Sequence, residues 1–136
     1  MKVFPEMVLD EFVRLVNNEL NDSIYQINVK HNDGLIISDI KGVFVKDCES
    51  KLPTLPYILV SIEAGTFTEK DRIIEACIYN LTLELKIPRQ KELYRYYSRY
   101  AEAVSDVIEK NSFGETWQFL EMTEIEGEKI VVRAEC

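Results

Sequence analysis

Tyr79, Leu81, Leu83 and Leu85 alternate with Asn80, Thr82, Glu84 and Lys86, and Pro88 closes the run. A period of two sends every apolar side chain to one face of a strand and every polar one to the other. Such a strand needs neighbours along its edges and a layer packed over its leucines. Whatever this chain folds into must therefore supply a sheet with one covered face. The start of the stretch Asp71 to Ile87 is less decided, because Ile73, Ile74, Ala76 and Cys77 also fit the opening of a helix.

Two helical patterns can provide the covering layer. In Gln90 to Lys110, the residues Leu93, Tyr97, Tyr100, Val104 and Val107 recur at steps of four and three, with Ile108 alongside and Glu92, Arg95, Arg99, Glu102 and Asp106 off the stripe. Asn111, Ser112 and Gly114 end it. Pro5 to Leu20 repeats the design with Val8, Leu9, Phe12, Val13, Val16 and Leu20, and Asn21 with Asp22 is read as its stop.

The rest reads as strands and turns. Tyr25, Ile27 and Val29 alternate with Gln26, Asn28 and Lys30, so Ser23 to Lys30 is expected as a half-buried strand. Asn32, Asp33 and Gly34 offer a reversal into a hairpin partner, Leu35 to Ile40, with a bend at Lys41 and Gly42 before Val43 to Val45. Asp47 to Pro56 is a loop, Tyr57 to Ile62 an apolar strand, and Ala64 to Lys70 a second connection. Thr116 to Ile125 and Lys129 to Ala134 form a closing hairpin through Glu126, Gly127 and Glu128.

The order α-β-β-β-β-α-β-β predicts an α+β fold, a mostly antiparallel β-sheet with two α-helices packed on one face, as a single domain over residues 1–136. With 46% hydrophobic residues the chain has enough apolar side chains for one core.

Charge narrows the function classes. Sixteen Lys and Arg stand against 24 Asp and Glu, a net charge of −8, which argues against binding nucleic acid in general or an anionic membrane. The longest apolar run, Tyr57 to Ile62, is far below the roughly 20 residues of a membrane span. Asp10, Glu11 and Arg14 interrupt the amino-terminal segment as an export signal, so the chain is expected to stay in the compartment where it is made. Cys48, Cys77 and Cys136 have no metal-ligand or redox spacing and fit a reducing cytosol, where the sequons at Asn21 and Asn80 go unused.

Little in the chain points to catalysis. The single histidine, His31, stands beside a turn without ligands at metal spacing and reads as a solvated residue. The five glycines form no phosphate-binding loop. Carboxylate pairs such as Asp47 with Glu49 or Glu124 with Glu126 arise readily among 24, and one histidine cannot activate several nucleophiles. No catalytic residue, metal site or cofactor is assigned.

A contact surface is the better candidate. Tyr94, Arg95, Tyr96 and Arg99 combine residue types favoured at protein interfaces, and they are read either as interface or as ordinary core edge. From residue 86 to 99 five basic residues face only Glu92, whereas from 115 to 136 six glutamates, Glu124, Glu126 and Glu128 among them, face two basic residues. A basic and an acidic patch can associate head to tail and close into a ring.

An amino-terminal helix, a β-hairpin, a loop reaching the strand Leu55, Pro56, Tyr57, Ile58, Leu59, Val60, the Tyr79 to Ile87 strand, one long amphipathic helix and a hairpin from Trp117 to Ala134 follow in order. This ordering resembles the small tail-terminator and tail-completion (head-tail joining) proteins of long-tailed bacteriophages and prophages. The resemblance implies a non-enzymatic structural protein and a homo-oligomer, commonly a hexameric ring, that stops tail-tube growth. It implies as partners the tail-tube protein and the head-completion protein, and as location the bacterial host cytoplasm and then the virion tail. It also implies that loops such as Asp47 to Pro56 and Ala64 to Lys70, with the sheet edges, make the contacts. The family's loop after the first strands is often longer than Leu35 to Val45 allows. An acidic lumen would let DNA pass without sticking. Two other readings remain beside it: a cytosolic α+β protein-protein adaptor using its sheet edge or the Tyr94 to Arg99 surface, and a small-molecule-binding domain.

Overall fold

The first helix does not stop at Leu20. In the computed structural model, which describes residues 3–46, 54–63, 66–70 and 73–136 and gives the backbone alone for 66–70 and 73–76, α1 runs over Pro5–His31. Its buried residues Val8, Phe12, Leu15, Val16, Leu20, Ser23, Ile24 and Ile27 form one unbroken stripe. Ser23 to Lys30 is therefore helix, not the strand its alternation predicts. Tyr25 and Val29, two of the three residues that suggested a strand, are exposed, and only Ile27 faces the core.

Asn32 ends α1 in the left-handed region, and Gly34 follows with φ 86°. The reversal is where the sequence puts it, but it leads into an extended strap rather than a hairpin strand. Within residues 35–43 every third side chain, Ile37, Ile40 and Val43, is buried, while Ile36, Ser38 and Asp39 face outward. A repeat of three suits a polyproline-like chain, which forms no ladder of its own. The backbone groups of its buried residues go to α1 instead, whose Asn17, Asn21 and Asn28 side chains bond Val43, Ile40 and Ile37.

The strands that follow are β1 (Val43–Val45), β2 (Tyr57–Ile62), β3 (Thr66–Lys70) and β4 (Ile73–Lys86). After α2 (Leu93–Lys110) come β5 (Phe119–Glu126) and β6 (Lys129–Glu135). The element order is the predicted α-β-β-β-β-α-β-β, but the strands expected at 23–30 and 35–40 are helix and strap, while β2 lies where the sequence places it and β3 falls in an expected connection. Ala64 to Lys70 is no plain connection, since 66–70 form β3, and the undecided start of the 71–87 stretch is strand.

The sheet order is β1-β2-β4-β6-β5, with β3 also paired to β4. Among the described residues only β1 and β2 run parallel; the other pairings are antiparallel, so the fold is α+β with a mixed sheet. β4 is its axis. Residues 81–86 pair with β2, residues 78–84 with β6, and residues 73–78 with β3. Tyr79, Leu81, Leu83 and Leu85 are buried under the two helices together with Ile130, Val132 and Ala134 of β6.

The helices run antiparallel to each other, and polar pairs along their seam record it. Asn111 donates to Glu19 at 3.1 Å, Ser23 to Asp106 at 2.6 Å, and the His31 ring nitrogen Nε2 meets Glu102 at 3.0 Å. Among the described residues, no helix is long and apolar enough to cross a membrane.

Candidate interaction surface

Tyr94, Arg95, Tyr96 and Arg99 occupy the first turns of α2 and diverge in exposure. Glu92 precedes the helix in the left-handed conformation with φ 55°. Tyr94, the second residue of α2, is 71% exposed, and Tyr96 is partly buried against the core. Tyr100 lies deep, its hydroxyl donating to the Ser38 carbonyl at 2.7 Å, and burial pushes its pKa up to about 12. The strap thus gains a further tie to α2.

Arg99 is not a surface residue. At 9% exposure it donates to both carboxylate oxygens of Asp33, at 2.6 and 3.3 Å, and Arg95 reaches the same carboxylate at 3.4 Å. The guanidinium of Arg99, with the Leu35 amide and Arg95 adding to it, holds Asp33 down to about 2. The fork-like pairing fixes the reversal after α1 to the start of α2. Of the sequence candidates, then, Tyr94 is the exposed anchor, Arg95 is partly committed, and Arg99 is structural.

Glu124, Glu126 and Glu128 are exposed on the closing hairpin. β5 is an edge strand, and a bulge between Met122 and Glu124 shifts its register, so that Glu124 faces Val131 and Ile125 faces Ile130. Ile130 is fully buried on the helix side, which sends Ile125 to that side and leaves it 56% exposed. There Ile125 and Gly127 join Tyr94, Tyr97, Ala101 and Glu102 around an open groove of about 390 Å³.

The basic and acidic stretches consequently lie side by side, not at opposite poles. The Leu85 amide donates to the Glu128 carbonyl at 2.7 Å, and Lys86 stands 3.6 Å from both Glu84 and Glu128. Lys86, Arg95 and Arg99 are neutralised within the chain. Among the described residues Arg89, Lys91, Glu124 and Glu126 have no ion-pair partner closer than 4.0 Å. Head-to-tail attraction between two separated poles does not follow from this arrangement.

The other possible sites are polar clefts. One of about 480 Å³ lies between the helices, but its Asp106 already accepts from Ser23 and pairs with Lys110 at 3.0 Å, and these bonds lower the pKa of Asp106. Among the described residues no three His, Cys, Asp or Glu side chains converge as metal ligands. His31 is not simply solvated, since both oxygens of Glu102 lie within 3.1 Å of its ring.

Sequence pattern alone does not reveal the placing of Ile125, which depends on a bulge, nor the pairing of Asp33, whose partner lies 66 residues away. The available signal for the strap was the three-residue spacing of Ile37, Ile40 and Val43. Of the contact loops expected at Asp47 to Pro56 and Ala64 to Lys70, residues 47–53, Cys48 among them, and 64–65 lie outside the described residues. No protein-family model, curated protein or solved structure matches the chain.

Proposed function

We propose that this chain is a non-enzymatic assembly protein, a ring-forming tail-terminator or tail-completion component at the phage head-tail junction that acts without a cofactor. The observation that carries the reading is the arm of β4. Residues 73–76 lie beyond the β2 and β6 ladders and, among the described residues, pair only with β3, so a two-stranded ribbon extends past the main sheet. Five residues of β3 at about 3.4 Å each give it a length of about 17 Å, enough to reach across a subunit boundary. The β5 edge adds a surface to which neighbours can join.

The experiment is sizing of the purified chain by light scattering across a concentration series, alone and with the tail-tube protein. A ring-sized oligomer, or oligomerisation triggered by tube subunits, is expected. A chain that stays monomeric and never engages tube protein overturns the proposal.

A second reading, a protein-protein adaptor, draws on the Tyr94 and Ile125 groove, where two large apolar side chains stand exposed together. It differs in that the bound partner is another protein and the chain itself remains monomeric.

A further inference from the structure

Cys77 and Cys136 face each other across the β4–β6 ladder. The Cys77 amide donates to the Cys136 carbonyl at 3.3 Å, and the Cys136 amide donates to the Cys77 carbonyl at 2.8 Å. Reciprocal bonds of this kind mark directly opposed antiparallel residues, with Cα atoms about 5.5 Å apart and side chains on the same face. Disulfides span Cα separations of about 4.4–6.8 Å. The shared face is the helix-covered one, because Cys77 continues the row of Tyr79 and Leu81 and Cys136 that of Ala134 and Val132. Both thiols are free.

We propose that Cys77 and Cys136 form a reversible redox pair, oxidised to an intrachain disulfide by a low-molecular-weight disulfide such as oxidised glutathione. Cys136 is the entry point, since it is partly exposed whereas Cys77 is 1% exposed. The Cys136 thiol gives its proton to solvent, and the thiolate attacks one sulfur of the reagent, forming a mixed disulfide and expelling one reagent thiolate. Cys77 then loses its proton and attacks the Cys136 sulfur, expelling the second reagent thiolate. The two released protons neutralise the two thiolates, and two electrons pass from the protein sulfurs to the reagent. Burial pushes the Cys136 thiol up to about 11, so the first step is slow at neutral pH.

The position gives the bond a consequence. Cys77 is in register with Phe67 of β3 on its other side, at the root of the two-stranded arm. A disulfide there would fasten the end of β6 to the base of that arm. The inference is independent of the tail-assembly reading.

The test uses the full chain carrying Cys48→Ser, incubated with excess oxidised glutathione and followed by intact mass and non-reducing peptide mapping. The expected product is a monomer lighter by two hydrogen atoms, with one peptide pair joining positions 77 and 136, and dithiothreitol restores the starting mass. Adding Cys77→Ser should stop the reaction at a glutathione adduct on Cys136. The proposal is overturned if the Cys48→Ser chain also stops at that adduct. It is equally overturned if the chain links only between molecules, or stays unmodified under conditions that oxidise it when unfolded in urea.

Discussion

Asn21 holds Ile40 by both of its backbone groups: its side-chain amide donates to the Ile40 carbonyl at 3.2 Å, and its carbonyl accepts from the Ile40 amide at 2.8 Å. Asn28 does the same to Ile37 at 3.0 Å each way, and Asn17 to Val43 at 3.0 and 2.9 Å. A side-chain amide imitates a neighbouring strand, so these three inward-facing residues have their backbone groups satisfied from α1. Replacing Asn21 with Ala leaves the Ile40 amide without a partner in a site that is 6% exposed. The expected cost is about 1–3 kcal/mol in urea unfolding, with Asn21→Asp intermediate because the acceptor survives and the donor does not.

The Asp33–Arg99 pair gives stability a defined acid dependence. A carboxyl whose pKa is lower in the folded state contributes stability above its unfolded value and loses it as pH falls through the folded one. For Asp33 the two values are 3.8 and about 2. Wild type should exceed Asp33→Asn in denaturant midpoint above about pH 4, with the gap closing between about pH 4 and 2. A gap that ignores pH would remove the carboxylate from the account.

Charge reversal at Arg99 follows the same geometry. The sequence alone suggests a surface change within about 0.5 kcal/mol. With Asp33 at 2.6 Å, Arg99→Glu sets a carboxylate at a buried position against that of Asp33 and is expected to lower the melting temperature more than Arg95→Glu, because Arg95 is more exposed.

Tyr94→Ser and Ile125→Ser test the groove. Both side chains are more than half exposed, so each change should stay within about 0.5 kcal/mol in stability. If the adaptor reading holds, each should reduce partner capture in a pull-down at unchanged melting temperature.

Leu83 is fully buried in the centre of β4. Leu83→Ala should cost about 2–5 kcal/mol in equilibrium unfolding, the range of a core cavity. A cost below about 1 kcal/mol would mean that the helices collapse onto the space.

Where local pattern and tertiary environment agree, the elements are legible in the sequence. The second half of β4, α2 and β6 each show a clean period because each buries one face only. The second half of α1 misleads because Tyr25, Ile27 and Val29 happen to alternate, while the helical stripe through Leu20, Ile24 and Ile27 is the one that reaches the core. Asn21 looks like a helix stop for a related reason. Its polar group is satisfied by a segment 19 residues later, and no local rule contains that partner. The surface was legible in composition but not in arrangement: tyrosine and glutamate were identifiable, whereas the separation of Tyr94 from Arg99 and the turning of Ile125 depend on burial and on a bulge.

β4 is aligned with three other strands at once. Inserting or deleting one residue near Leu81 would turn half of it over, driving Asn80, Thr82 and Glu84 under the helices and the leucines into water. No single neighbour can shift to compensate, because correcting one alignment breaks the others. Changes of length should therefore be tolerated at the β5–β6 turn and rejected between Cys77 and Lys86.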